Sequence, residues 1–205
     1  MDLPVNTILY EAEQEVTTAY FLNSGFASQV IRLGDVGSVE VGVVSCDGLV
    51  GSTALLGHPI APGRCFMQAA GAGYAISFEV LRQVFASNDE IRNYILEFAQ
   101  FQLLTTSYLS ACNKLHETEP RFARWLLMVQ DRLETDLLPL TQEFLAQMLG
   151  SRRMTVTTVA GALQRSGLIE YKRGQIRILD REGLEDTACE CYRHIKKLYD
   201  GLYRS

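Results

Sequence analysis

The chain has 205 residues, 47% of them apolar, and a formal net charge of −5 at pH 7, enough to bury one good core or two modest ones. No run of eighteen apolar residues occurs, which excludes a membrane-spanning helix. Five scattered cysteines, an odd number, and an N-terminal stretch (Met1 to Val16) without a basic region before an apolar one predict reduced thiols, no signal peptide and a cytoplasmic location.

Residues 1–86 carry short apolar stretches, such as Val39 to Val44, between glycines at 25, 34, 37, 42, 48, 51, 57, 63, 71 and 73. Short strands with glycine turns at this spacing predict a roll or barrel. Ser77 to Phe85 turns helical.

Residues 87–117 read as one long helix. Asn88 or Ser87 can cap it, and Asp89 and Glu90 complement the dipole in its first turn. Ile91, Phe98, Thr105 and Cys112 recur every seven residues. Tyr94, Phe101, Tyr108 and Leu115 form the paired set, giving an a/d seam of about four heptads. The seam predicts a parallel homodimer contact. The alternative is a single core helix packed on its own roll.

Residues 118–205 form the third stretch. Pro120 sits near the start of a helix expected over Arg121 to Leu133, with Phe122, Trp125, Leu126, Val129 and Leu133 on its apolar face. A hinge is expected around His116 to Pro120. The stretch Leu140 to Ile178 then reads as helix, tight turn, helix and hairpin. Thr141 can cap the first helix, whose Phe144, Leu145, Met148 and Leu149 form one stripe. Gly150 suits the turn. The second helix starts at Arg152 or Arg153 and ends at Arg165, with Val156, Val159, Ala160 and Leu163 as its buried stripe. Arg152, Arg153, Thr155, Thr157 and Thr158 lie mainly off that stripe, where base edges and phosphates would be met. Lys172 and Arg173 stand at the hairpin tip. Residues 139–179 hold six Lys or Arg and two acids, a local net of +4, on a chain whose remainder carries −9. A basic module on an acidic body concentrates the attractive field on one face. Asp180 to Ser205 reads as a last amphipathic helix.

The stretch from Leu140 resembles the C-terminal domain of the Crp/Fnr family of bacterial transcription regulators, whose pattern is close to LTQEELAxxLGxSRETVSRxLxxLxxxGLI. The chain keeps Leu140, Thr141, Gln142, Glu143, Leu145, Ala146, Leu149, Gly150, Arg153, Thr155, Val156, Leu163, Gly167, Leu168 and Ile169. The resemblance implies that Arg153 is the main base-reading arginine, and it adds Thr141 and Gln142 to the DNA-facing set. Arg152 stands where serine is usual, Met154 where glutamate is common, and Thr158 where arginine is common. The docking mode therefore carries over and the operator sequence does not. Upstream, Leu3 to Leu81 is similar to the family's cyclic-nucleotide-binding-like β-roll, through Ile8 to Glu11, Ala19 to Gly25, Ser38 to Gly42 and Gly48 to Gly51.

In family members that bind cyclic nucleotides, a glutamate holds the ribose and an arginine-serine pair the phosphate. Here Ser52 takes the glutamate position, and Arg64-Cys65 the arginine-serine position. Losing the charged ribose partner implies a degenerate pocket. The cysteine cluster of the iron–sulfur members is absent before Cys46. Cys189 and Cys191 would lie on different faces of a helix, and His58, His116 and His194 are far apart, so neither metal nor cofactor is expected.

The expected architecture is α+β: an N-terminal β-roll (1–86), a long dimerisation helix (87–117) and a C-terminal winged helix-turn-helix (118–205). The expected function is a homodimeric transcription regulator on a palindromic operator, not controlled by cyclic AMP. Its partners are double-stranded DNA, a second copy and, as a candidate, RNA polymerase, with no membrane. The alternative is a ligand-sensing dimer with a protein-contact output and a vestigial reader. No Ser-His-Asp, phosphate-loop or paired-carboxylate arrangement points to an enzyme.

Overall fold

The computed structural model describes residues 1–35 and 37–203, with Glu143 described by its backbone alone. Val36, Arg204 and Ser205, the last two the end of the expected tail helix, lie outside the described residues. The chain divides into two compact units, one of residues 1–32, 41–106 and the tail from 199, the other of residues 33–40 and 107–198. The division falls inside the long helix.

The first unit is built on eight strands: β1 (Asp2–Leu3), β2 (Ile8–Tyr10), β3 (Thr18–Leu22), β4 (Phe26–Leu33), β5 (Gly37–Val44), β6 (Leu49–Val50), β7 (Arg64–Ala69) and β8 (Gly71–Ser77). They pair as two four-stranded sheets of order β1-β8-β3-β6 and β2-β7-β4-β5. Glycine turns between short apolar strands produce this roll, as the sequence predicts. A short 3-10 helix, Ser52–Leu56, follows Gly51, whose φ of 95° favours glycine. Helix α1 (Phe78–Ser87) packs its buried Phe78 and Leu81 into a core with Val16, Ala19, Leu49, Ala54, Ala61 and Ile95.

Helix α2 (Asp89–Leu115) is continuous over 27 residues. Asn88 caps it, its Oδ1 accepting from the Ile91 N–H at 2.9 Å. The expected seam is largely covered within the chain itself. Phe98, Phe101, Thr105 and Cys112 are buried. A Cβ on Gly48 would collide with the Phe98 ring, so only glycine admits that ring. Tyr94 meets Tyr203 edge-on at 5.4 Å, and Phe101 meets Tyr199 at 6.2 Å. In the second unit, Tyr108 stacks on His194 at 5.1 Å. Of the eight seam residues, Ile91, Tyr94 and Leu115 stay exposed.

The second unit contains α3 (Thr118–Leu133), β9 (Leu137–Leu138), α4 (Gln142–Leu149), α5 (Arg153–Arg165), β10 (Ile169–Lys172), β11 (Gln175–Ile178), α6 (Arg181–Thr187) and α7 (Cys191–Gly201). Helix α3 begins one turn earlier than the sequence predicts, with Pro120 inside its first turn, where a missing N–H costs nothing. Phe122, Trp125, Leu126 and Val129 are buried as expected. The tail is two helices rather than one. Asp180 caps α6, its Oδ1 accepting from the Gly183 N–H at 3.0 Å. Ala188 then turns extended, at φ −67° and ψ 147°, and breaks the helix before α7. Among the described residues no helix is long and apolar enough to cross a membrane.

Candidate nucleic-acid interface

Helix α4 starts at Thr141, whose Oγ1 accepts from the Phe144 N–H at 3.2 Å. That satisfies one of the unpaired donors of the first turn and leaves the threonine O–H able to donate. Phe144, Leu145, Met148 and Leu149 are all buried. Gly150 ends the helix at φ 55°, the left-handed conformation that a side chain disfavours. The turn delivers the chain to Arg152, the residue before α5. Val156, Val159, Ala160 and Leu163 bury one face of α5. Its opposite face, with Arg152, Arg153, Met154, Thr155, Thr157 and Thr158, is exposed.

The hydroxyls of Thr157 and Thr158 are engaged within the helix. Their hydroxyls donate to the carbonyls of Arg153 and Met154, each at 3.0 Å. They therefore present accepting oxygens and methyl groups outward, the chemistry that meets a thymine methyl. Met154 is 82% exposed, which gives the N-terminal end of α5 a second apolar contact beside two guanidinium groups. Gln142 is half-buried in the first turn of α4.

Strands β10 and β11 form the wing, with β9 as the third strand in the order β10-β11-β9. The two-residue turn is Arg173-Gly174, with φ of 51° and 74°. Positive φ at both residues marks the turn whose twist matches a tight hairpin. The wing is fastened to α5 by the Tyr171 N–H, which donates to Gln164 Oε1 at 2.8 Å. Ile169 pairs with Ile178, Tyr171 with Ile176, Glu170 with Arg177, and Lys172 with Gln175. Alternation therefore points the isoleucines inward and Lys172 and Arg177 outward together. A cleft of about 270 Å³ at the wing is lined by Leu137, Glu170, Lys172, Arg173, Gln175 and Arg177. Three cations against one acid suit a phosphate. Arg177 was missing from the sequence-predicted set, although strand alternation alone places it beside Lys172.

The three residues expected at a nucleotide pocket lie in different surroundings. Ser52 is buried and its Oγ donates to Gln102 Oε1 at 2.7 Å. Arg64 is exposed and paired with Glu11 at 2.8 Å. Cys65, the next residue on the strand, points the other way into the core. Burial pushes the Cys65 thiol up to about 12, against a hydrogen bond with Tyr10 that pulls it down. Iodoacetamide at about pH 8 should therefore label the exposed Cys46 and spare Cys65 in the folded protein. Equal labelling of both under native conditions would contradict the burial.

Sequence reasoning also missed a cluster. Cys112, His116, Cys189 and Cys191 are brought together in the second unit, where neither metal nor shared chemistry was expected. The cause is the break between α6 and α7. In one unbroken helix, Cys189 and Cys191 would face apart.

Known proteins share this fold. Residues 120–187 match the family model described as the Crp-like helix-turn-helix domain. A CRP-family transcriptional regulator of Thermus thermophilus is similar in structure, with a TM-score of 0.78 and 21% identity over 92% of this chain and 96% of that one. A putative transcriptional regulator of the Crp/Fnr family from Eubacterium rectale gives 0.72 and 21% over 91% and 88%. The c-di-GMP responsive global regulator CLP of Xanthomonas campestris gives 0.70 and 20% over 87% and 92%. Among curated proteins, none matches the sequence.

Proposed function

The chain has the fold of the Crp/Fnr transcription regulators and carries their helix-turn-helix domain, and from that premise we propose that it acts as a homodimer reading a palindromic DNA operator. The observation that carries the reading is the exposed end of α5. Arg152 and Arg153 stand there opposite a fully buried stripe, with Lys172, Arg173 and Arg177 on the wing beyond. Cations at a helix end and on a hairpin are what major-groove docking with flanking phosphate contacts requires. The proposed location is the cytoplasm. The proposed partners are DNA, a second copy and, as a further candidate, RNA polymerase.

Arg153 is the proposed base reader and Lys172 a phosphate anchor. Arg153→Ala should cost about 1–3 kcal/mol in operator binding and relax specificity at one base position, scored against single-base operator variants. Equal weakening on every sequence would reassign Arg153 to the backbone. Lys172→Ala should instead weaken all sequences evenly and flatten the salt slope by about one unit. An unchanged slope in a salt titration would remove the wing from the interface.

The proposed dimer contact differs from the heptad seam, because most of that seam is already covered within the chain. The remaining face of α2 runs through Asn93, Leu96, Gln100, Leu103, Leu104, Ser107, Ser110 and Ala111, all exposed and none charged. Leu103 and Leu115 are 67% and 76% exposed. Five turns of uncharged helix surface suit a second copy better than water. Control by something other than cyclic AMP is part of the same proposal. It is supported by Ser52, Arg64 and Cys65, each committed to a partner or to the core.

A further inference from the structure

We propose that Cys112, His116, Cys189 and Cys191 form a mononuclear, tetrahedral site for a divalent zinc-type ion that staples the tail helices to the end of α2. The four donor atoms all lie within 4.8 Å of one another. Cys112 Sγ is 3.4 Å from Cys189 Sγ, and Cys191 Sγ is 3.7 Å from His116 Nδ1. With zinc–sulfur bonds of about 2.3 Å, the edge of a tetrahedron is about 3.8 Å. The donors are thus already at the separation one ion imposes. An iron–sulfur cluster would spread them, because several irons and sulfides lie between its ligands. A disulfide would use two of the three thiols and leave the imidazole without a role.

The chain builds this set from two local devices. Cys112 and His116 are four residues apart at the end of α2, on one helix face. Cys189 lies in the break between α6 and α7 and Cys191 opens α7, and this break brings both thiols to the cluster. The three cysteines are almost wholly buried and pack on each other. Three sulfurs and an imidazole make a donor set that selects zinc-type ions, and four protein ligands close the coordination, which is the structural rather than the catalytic arrangement.

Two surrounding features fit an ion. First, His116 Nε2 lies 3.2 Å from the Glu190 carboxylate. An Nε2–H donated to Glu190 leaves the Nδ1 lone pair facing the sulfurs, the second-layer support that metal-bound histidines use. Second, Arg121 and Arg124 are buried beside the cluster, at 9% and 4% exposure. Among the described residues neither has a carboxylate within ion-pair distance, and the Nε of each has no hydrogen-bond partner. Buried cations are costly unless anions face them. Three thiolates around a divalent ion carry a net charge of −1, which supplies that anion.

The test is cobalt(II) and zinc(II) titration of the reduced full-length chain, prepared metal-free by chelation. The expected result is one ion bound per chain, with thiolate-to-cobalt charge-transfer absorption in the near ultraviolet and visible bands of tetrahedral cobalt. Zinc should abolish both one-for-one. Glu190→Gln should weaken cobalt about 10–100-fold. Cys191→Ser and His116→Gln, which remove ligands, should weaken it further and reshape the bands, while Cys46→Ser changes nothing. The wild-type titration needs no variant to fold, and Glu190→Gln alters only a solvent-facing group. Absence of tetrahedral bands in the wild type would overturn the proposal. So would bands indifferent to Cys191→Ser and His116→Gln.

Discussion

Leu103→Arg is expected to convert the proposed dimer into a monomer and to lower operator affinity about 10²–10⁴-fold. The size of the loss follows from bivalency. Once one reader is docked, its tethered partner binds at a high effective concentration, and separating the copies forfeits that gain without touching a DNA contact. Leu103 is 67% exposed, so an arginine there disturbs no core of the single chain, and any fall in melting temperature should be the concentration-dependent one that loss of a second copy brings. In a dimer it would set two cations against each other on an apolar strip, at a cost that exposed apolar contact cannot offset. Light scattering reads the oligomeric state, and titration of a labelled operator reads the affinity. A variant that remains dimeric would move the interface off this face of α2.

Trp125→Ala should cost the second unit about 3–5 kcal/mol of folding stability, the range for deleting a large buried aromatic side chain. The only tryptophan of the chain is 3% exposed and meets the Phe144 ring edge-on at 5.9 Å. That contact joins α3 to α4, the first helix of the reader. The Nε1–H also donates to Glu40 Oε1 at 2.6 Å. Trp125→Phe keeps most of the packing and deletes the donor, so its own loss reports the charged hydrogen bond, about 1.5–3 kcal/mol, and the further loss in Trp125→Ala reports the ring packing. Denaturant titration followed by circular dichroism measures both. A loss below about 1 kcal/mol for the alanine variant would mean that α3 and α4 do not depend on this ring.

The reader was legible in the sequence because each of its signals is local. A cap at Thr141, stripes at three- and four-residue spacing, glycines at 150 and 174 and an alternating hairpin each depend on nearby residues alone. The seam on α2 was harder to read. Periodicity says that Phe98, Phe101, Thr105 and Cys112 share a buried face, and it does not say what buries them. Here Gly48 admits the Phe98 ring and Tyr199 faces Phe101, contacts across about 50 and 100 residues that no spacing rule encodes. The clustered thiols were missed for a related reason. Treating Asp180 to Ser205 as one helix put Cys189 and Cys191 on separate faces. The break at Ala188 is a tertiary outcome, with the Cys189 N–H held by the Pro120 carbonyl at 3.4 Å. Arg64 and Cys65 were grouped by resemblance, yet strand alternation sends them to opposite sides.

A dimeric, sequence-specific reader of DNA should show itself when the purified chain is selected against a random duplex library at about 150 mM salt. Enrichment of an inverted repeat with half-sites about one helical turn, 10–10.5 base pairs, apart is expected. Failure to retain any duplex, at this salt or lower, would contradict it.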